Sequence, residues 1–101
     1  YMTKLAAIVE GLREDLGADV PFIAGQLGGW RSSSAGFNER ITRINKYLIW
    51  SDWVSSKDCQ PIVTASSDGQ PDKDDPHFDR ASQILMGERY AQKILEIVYG
   101  K

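Results

Sequence analysis

The segment Asp72-Lys73-Asp74-Asp75-Pro76-His77-Phe78 brings the chain's one histidine together with three carboxylates. A neutral imidazole takes up and returns a proton near pH 7, and a carboxylate three residues earlier in a turn can hold the other ring nitrogen in one tautomer. Asp74 stands at that D-x-x-H spacing, with Pro76 fixing the backbone between it and His77. The chemistry would be a general base with its orienting acid, half of a hydrolytic triad. The same spacing also suits a solvated acidic loop with a surface histidine. Asp68, Asp72, Asp74 and Asp75 within Ser66 to Pro76 invite a calcium reading as well. An EF-hand needs alternating oxygen ligands, glycine at the sixth position and glutamate at the twelfth, and this order does not supply them, so no metal is expected.

The loop Gln26 to Gly36 is rich in glycine and serine and holds three consecutive serines, Ser32 to Ser34. A nucleophile elbow needs small residues on both sides of its serine, as in G-x-S-x-G, and that pattern is absent, so these read as loop and helix-cap residues. Trp30 in the same loop could stack on a sugar ring or acyl group, or pack beneath the loop. Cys59 stands alone, which excludes an intrachain disulfide or a cysteine-based zinc site and leaves a small buried or edge thiol.

The elements that must position these groups follow from hydrophobic periodicity. Leu5, Ile8, Val9, Leu12 and Leu16 mark the apolar stripe of a helix over residues 3 to 16, stopped by Gly17 and Pro21. Val20 to Ala24 is a short continuous apolar run, as in a strand buried on both faces of a parallel sheet. Phe37, Ile41, Ile44 and Leu48 predict a second helix over residues 36 to 50, with Ser34 or Gly36 near its cap and Glu39 facing Arg43. Trp50 and Trp53 fall in the connection that follows and read as packing residues. Pro61 to Ala65 is the predicted second strand, which would complete a βαβ unit. The last helix is predicted over residues 80 to 98 with Ala81, Ile84, Leu85, Ala91, Ile94, Leu95 and Val98 inward, and Gly87 inside it implies close packing against a neighbour. Loops at the C-terminal ends of parallel strands gather on one rim, where ligands bind, so His77 and the Gly28 to Trp30 loop should meet there.

The order strand, acidic D-x-x-H-F loop, then a helix carrying Ser82-Gln83 and Gly87-Glu88-Arg89-Tyr90-Ala91 resembles the C-terminal end of the SGNH hydrolases. Within them it is most similar to the sialate O-acetylesterase and acetylxylan esterase group, carbohydrate esterase family six. Val20 to Gly28, followed by a loop and by Phe37-Asn38 opening a helix, is similar to the middle of the same esterases. The resemblance implies His77 as the base and Asp74 as its orienting acid. It also implies a nucleophilic serine in a Gly-Gln-Ser-Asn type motif and a Gly-Glu-x-Asp type motif, neither of which this sequence contains; Gly25-Gln26 is followed by Leu27. The expectation is therefore the C-terminal portion, residues 1–101, of one esterase domain: an α/β fold, part of a three-layer αβα sandwich like flavodoxin's, with parallel strands.

Composition agrees with a globular chain: 42% of the 101 residues are hydrophobic and 10% aromatic. A formal charge of −2 and scattered Lys and Arg create no field for nucleic acid, and no apolar run approaches the roughly 18 residues of a membrane span. Neither a nucleic-acid nor a membrane partner is expected. The resemblance implies hydrolysis of acetyl esters on a glycan such as xylan or sialic acid, with an acetylated carbohydrate as substrate and no cofactor. It also implies a partner, either the N-terminal part of the domain or another chain, to cover edges and apolar faces that two strands leave open. From a different class, a non-catalytic α/β module could bind a glycan or protein through the acidic loop and Trp30. A flavodoxin-like regulatory domain would need a phosphate cradle, which the sequence lacks.

Overall fold

The computed structural model describes residues 1–100. Its regular elements are α1 (Met2–Leu16), β1 (Phe22–Gly25), α2 (Ala35–Ile41), β2 (Ser51–Val54) and α3 (Arg80–Tyr99), with single 3-10 turns at Ser32–Ser34 and Ile44–Lys46. The two strands run parallel, pairing Phe22 with Ser51, Ile23 with Asp52, Ala24 with Trp53 and Gly25 with Val54. Side chains alternate across a strand, and here they divide between two apolar clusters. Phe22 and Trp53 join Met2, Leu5, Ala6 and Val9 of α1 and the buried Ile44 and Leu48. Ile23 and Val54 join Met86, Leu85 and Tyr90 of α3 together with Cys59. Helix, parallel sheet and helix make an α/β structure consistent with part of a three-layer αβα sandwich. Among the described residues no helix is long and apolar enough to cross a membrane.

Gly17 ends α1 in the left-handed conformation, at φ 66°. Its N–H donates to the Glu14 carbonyl, and the Ala18 N–H to that of Arg13, both at 3.1 Å, so two otherwise orphaned helix carbonyls are satisfied. The face α1 turns inward is rotated from the expected stripe: Met2, Ala6, Val9 and Arg13 are buried, whereas Ile8, Leu12 and Leu16 are exposed. Arg13 sets this rotation. Only 6% exposed, it donates from Nε to the Val20 carbonyl at 2.9 Å and from Nη2 to the Trp50 carbonyl at 3.1 Å, the backbone just ahead of each strand.

The second strand is Ser51–Val54, not Pro61 to Ala65. Its polar residues obscure it in the sequence, yet each has a partner: Ser51 Oγ donates to the Leu48 carbonyl at 2.6 Å, and Asp52 accepts from its neighbour's N–H and lies 3.5 Å from Lys93 Nζ. Residues 61–65 cannot supply a full ladder, since Pro61 has no N–H and faces a return segment containing Pro71 and Pro76. They form isolated antiparallel bridges instead, Pro61 with Phe78 and Val63 with Pro71. The predicted helix of residues 36 to 50 stops as an α-helix at Ile41, where Thr42 Oγ1 donates back to the Glu39 carbonyl at 2.6 Å. Its apolar positions Ile41, Ile44 and Leu48 are nonetheless buried, and the Glu39–Arg43 pair forms on the surface.

On α3, Ser82, Met86 and Tyr90, four residues apart, lie toward the sheet. Ile84, Leu95 and Ile94, expected inward, are exposed, as are Ala81, Ala91 and Val98; only Leu85 of the expected set is partly covered. A helix apolar around most of its circumference does not announce which side meets the strands. Gly87 faces open space, with nothing within 4 Å of an added Cβ, so the close packing expected of it is not found.

Two stability outcomes follow from this packing. Arg13→Ala should lower unfolding free energy by about 2–4 kcal/mol, because two carbonyls lose their donors. Arg13→Lys should recover less than half of that, since one ammonium lacks the planar fork. Urea titration reads both, and a loss under about 0.5 kcal/mol in Arg13→Ala would mean water serves those carbonyls equally well. Gly87→Ala should stabilise by about 0.5–1 kcal/mol; destabilisation would reveal a neighbour packed against that side.

Candidate active site

The chain between β2 and α3 folds back on itself, which fixes His77 through its backbone. The Ile62 N–H donates to the His77 carbonyl at 3.1 Å, and the Asp79 N–H to that of Gln60 at 2.8 Å. Asp79 then caps α3, accepting from the Ser82 N–H at 2.8 Å; that side chain and backbone contact with Ser82 draws its carboxyl below the usual aspartate range.

Within this return, one oxygen of Asp75 binds His77 twice. Oδ1 accepts from the His77 backbone N–H at 2.8 Å and lies 2.7 Å from the ring Nδ1. An aspartate that accepts from an N–H two residues on makes a tight side-chain turn, and Pro76 in the middle restricts the backbone that closes it. A carboxylate at Nδ1 favours the tautomer whose proton sits there, leaving Nε2 as the free acceptor. The imidazole is 75% exposed, so Nε2 is open to a reacting group.

The contact expected between Asp74 and His77 is not made. The Asp74 N–H donates to Asp72 Oδ1 at 3.0 Å, placing Asp74 at the exposed crown of a preceding turn, while Asp72 Oδ2 accepts from Thr64 Oγ1. Two linked aspartate turns therefore give the imidazole to the nearer residue, Asp75. The signal for it was in the sequence as Asp75-Pro76, a turn-initiating pair directly ahead of the histidine.

Trp30 reaches the same segment from the loop after β1. Its Nε1 donates to the Asp75 carbonyl at 2.9 Å, and its ring meets that of Phe78 edge to face at 5.6 Å. The two loops thus meet, although the His77 segment reaches Trp30 through the 61–78 return and not from a parallel strand at Pro61 to Ala65. Gly28 leaves room for the indole, since a Cβ there would lie 2.4 Å from the ring. Ser32 to Ser34 form the 3-10 turn ahead of α2, and among the described residues no serine or threonine hydroxyl bonds to the imidazole. Nor do the described residues gather three or more His, Cys, Asp or Glu into a group that could hold a metal ion.

Beyond the strand ends, a cleft of about 480 Å³ is lined by Gln26, Trp30, Ser56, Lys57, Gln60 and Lys73, among others. Gln26 shapes its floor, donating to the Asn38 carbonyl at 3.2 Å and accepting from the Ser56 N–H at 3.1 Å. Arg89 of α3 shapes its wall, with Nη1 donating to the Ser55 and Lys57 carbonyls at 2.7 and 2.8 Å. Tyr90 beside it lies against Gly25, where an added Cβ would meet the hydroxyl, and burial pushes that phenol above its usual range. The Gly-x-Arg-Tyr-Ala run is thus structural in both of its large side chains. Cys59, on the same wall, is buried, and desolvation raises its thiol.

A family model for carbohydrate esterases, the sialic acid-specific acetylesterases, matches residues 1–96. The chain belongs to this family. Comparison with individual curated proteins and with solved structures returned no match of significance. Trp30, which bonds the segment carrying His77, also lines the polar cleft.

The backbone N–H of His77 is the largest influence holding the Asp75 carboxyl below its ordinary range, followed by the His77 ring, with the Arg31 charge adding to both. A depressed folded value means that Asp75 contributes stability above the ordinary aspartate pKa and loses it as pH falls through the depressed one. His77→Ala keeps the backbone donor and removes the ring. Carboxyl-carbon NMR titration should therefore show Asp75 moving only part of the way back toward an ordinary aspartate. A complete return would show that the ring alone had sustained the shift.

Proposed function

We propose that this chain supplies the histidine and acid of a serine-esterase triad that removes acetyl groups from a carbohydrate such as xylan or sialic acid. The observation that carries the reading is the Asp75-held imidazole with Nε2 free on the strand-end rim. Membership of a carbohydrate acetylesterase family supports the reaction class. His77 would take the proton of a serine hydroxyl as it attacks the acetyl carbonyl, then give it to the sugar oxygen as its bond to the acetyl carbon breaks; a second pass with water releases acetate from the serine. The orienting carboxylate would stabilise the imidazolium formed in each pass. The contact at Nδ1 favours Asp75 for this role, and the D-x-x-H resemblance favours Asp74.

The serine and oxyanion donors would come from outside residues 1–101, in keeping with this being the C-terminal portion of one SGNH-type domain. The exposed Ile8, Leu12, Ile84 and Leu95 support a covering partner, either that remaining portion or another chain. The sugar would enter the cleft beside Trp30, whose ring offers a face for stacking, while Gln60, Lys57 and Lys73 offer polar groups.

The 101-residue chain alone should hydrolyse p-nitrophenyl acetate no faster than free imidazole, because triad groups act as a unit. Saturable turnover blocked by a serine-directed phosphonate would show that a nucleophile lies within it. In the complete enzyme His77→Ala should be the most damaging change. Asp75→Asn should cost roughly 100-fold in kcat, below the ~10⁴ of a buried triad aspartate because water can reach this site. Asp74→Asn should stay within a few-fold of wild type; the reverse ranking would return the acid role to Asp74.

A further inference from the structure

Trp30 touches both neighbours of the segment's reactive ring. Its N–H holds the Asp75 carbonyl, its ring abuts Phe78, and His77 lies between them in sequence. The indole itself is anchored among Val54, Cys59 and Met86, and it fills the space above Gly28. Asp75 is consequently fixed at both ends: its carbonyl by Trp30, its carboxylate by His77. A carboxylate orients an imidazole only as firmly as its own backbone is held.

We propose that Trp30 is a positioning residue for the base, bracing Asp75 and Phe78 so that Asp75 presents its carboxylate to His77 Nδ1. The inference rests on the reading of His77 as the base and adds a role distinct from sugar stacking. The two roles separate kinetically. Loss of a stacking face weakens ground-state binding and raises KM, whereas loss of the brace lets the imidazole wander from its attack geometry and lowers kcat.

Trp30→Phe keeps an aromatic ring against Phe78 and deletes only the N–H donor and the second ring. In the complete esterase, kcat with an acetylated sugar should fall about 10- to 100-fold with KM nearly unchanged. The downfield NMR resonance of the His77 Nδ1 proton should broaden or vanish in the same variant, a change that simple thinning of the core would not produce. Unchanged kcat with an intact resonance overturns the proposal, as does a raised KM at constant kcat. If Trp30→Phe unfolds, replacing the indole of Trp30 by its benzothiophene isostere, sulfur in place of N–H at the same shape, gives both readouts. His77→Ala is the separate control: full activity there refutes His77 as the base, while the imidazole resonance of the Trp30 variant still decides whether the brace exists.

Discussion

The buried guanidinium of Arg13 is the contact on which the rest of the structure depends. Two four-residue strands share only four register pairs, too few to fix their own alignment against a slip. Arg13 bonds the carbonyls of Val20 and Trp50 from one planar group, so both strands enter the sheet at a set height. Burying a charge costs free energy that well-made hydrogen bonds must offset, and these carbonyls supply them in a direction that a flexible ammonium could not match. The register fixed at the entry is the register delivered at the exit, where Gln26 and Ser56 leave the two strands and bond to each other. What happens on the rim is therefore set at the opposite end of the sheet.

On that rim, two stretches distant in sequence and the start of α3 converge on the backbone of the His77 segment. Ile62 holds its carbonyl, Trp30 holds the residue two before it, and Asp79 starts α3 two residues after it. Each support is a backbone contact or a packed ring, so the loop is defined without relying on exposed charges. The choice between Asp74 and Asp75 is made by this framework. With Asp74 engaged through its N–H by Asp72, and Asp75 held by its carbonyl, it is the Asp75 carboxylate that contacts the ring.

Much of the fold was legible because it rests on local rules. Gly17 closing α1, Asp79 ahead of α3 and the buried Ile41, Ile44 and Leu48 follow from capping chemistry and spacing alone. β2 was not legible: Ser51 and Asp52 break the apolar run, and their tolerance inside a sheet depends on Leu48 and Lys93, partners known only from the folded chain. The inward faces of α1 and α3 were hidden for a related reason. Arg13, a charged residue outside the apolar stripe, faces the core, and both helices carry apolar residues on more than one side. His77 stands out by residue type, and its segment does meet the Trp30 loop, though not from a parallel strand at Pro61 to Ala65. That Asp75 makes the ring contact was not legible, because a three-residue spacing says nothing about which carboxylate a proline-closed turn points at the ring.

The buried arginine and the exposed imidazole lie at opposite ends of this small sheet. At the entry, Arg13 and the α1 cluster are buried, and changes there cost folding free energy directly. At the exit, the His77 ring stands largely in water while Asp75 is partly covered, and a contact open to solvent on the imidazole side is screened and contributes little to folding. Its value lies in direction: it sets which nitrogen of the imidazole is free, and that choice matters to a proton transfer far more than to the fold. Asp75 and Pro76 can be altered with little effect on the core, whereas Trp30 packs against the buried Val54, Cys59 and Met86. The carboxylate contact that orients the imidazole is thus separate from the buried contacts that hold the chain together, and Trp30 is the residue that belongs to both.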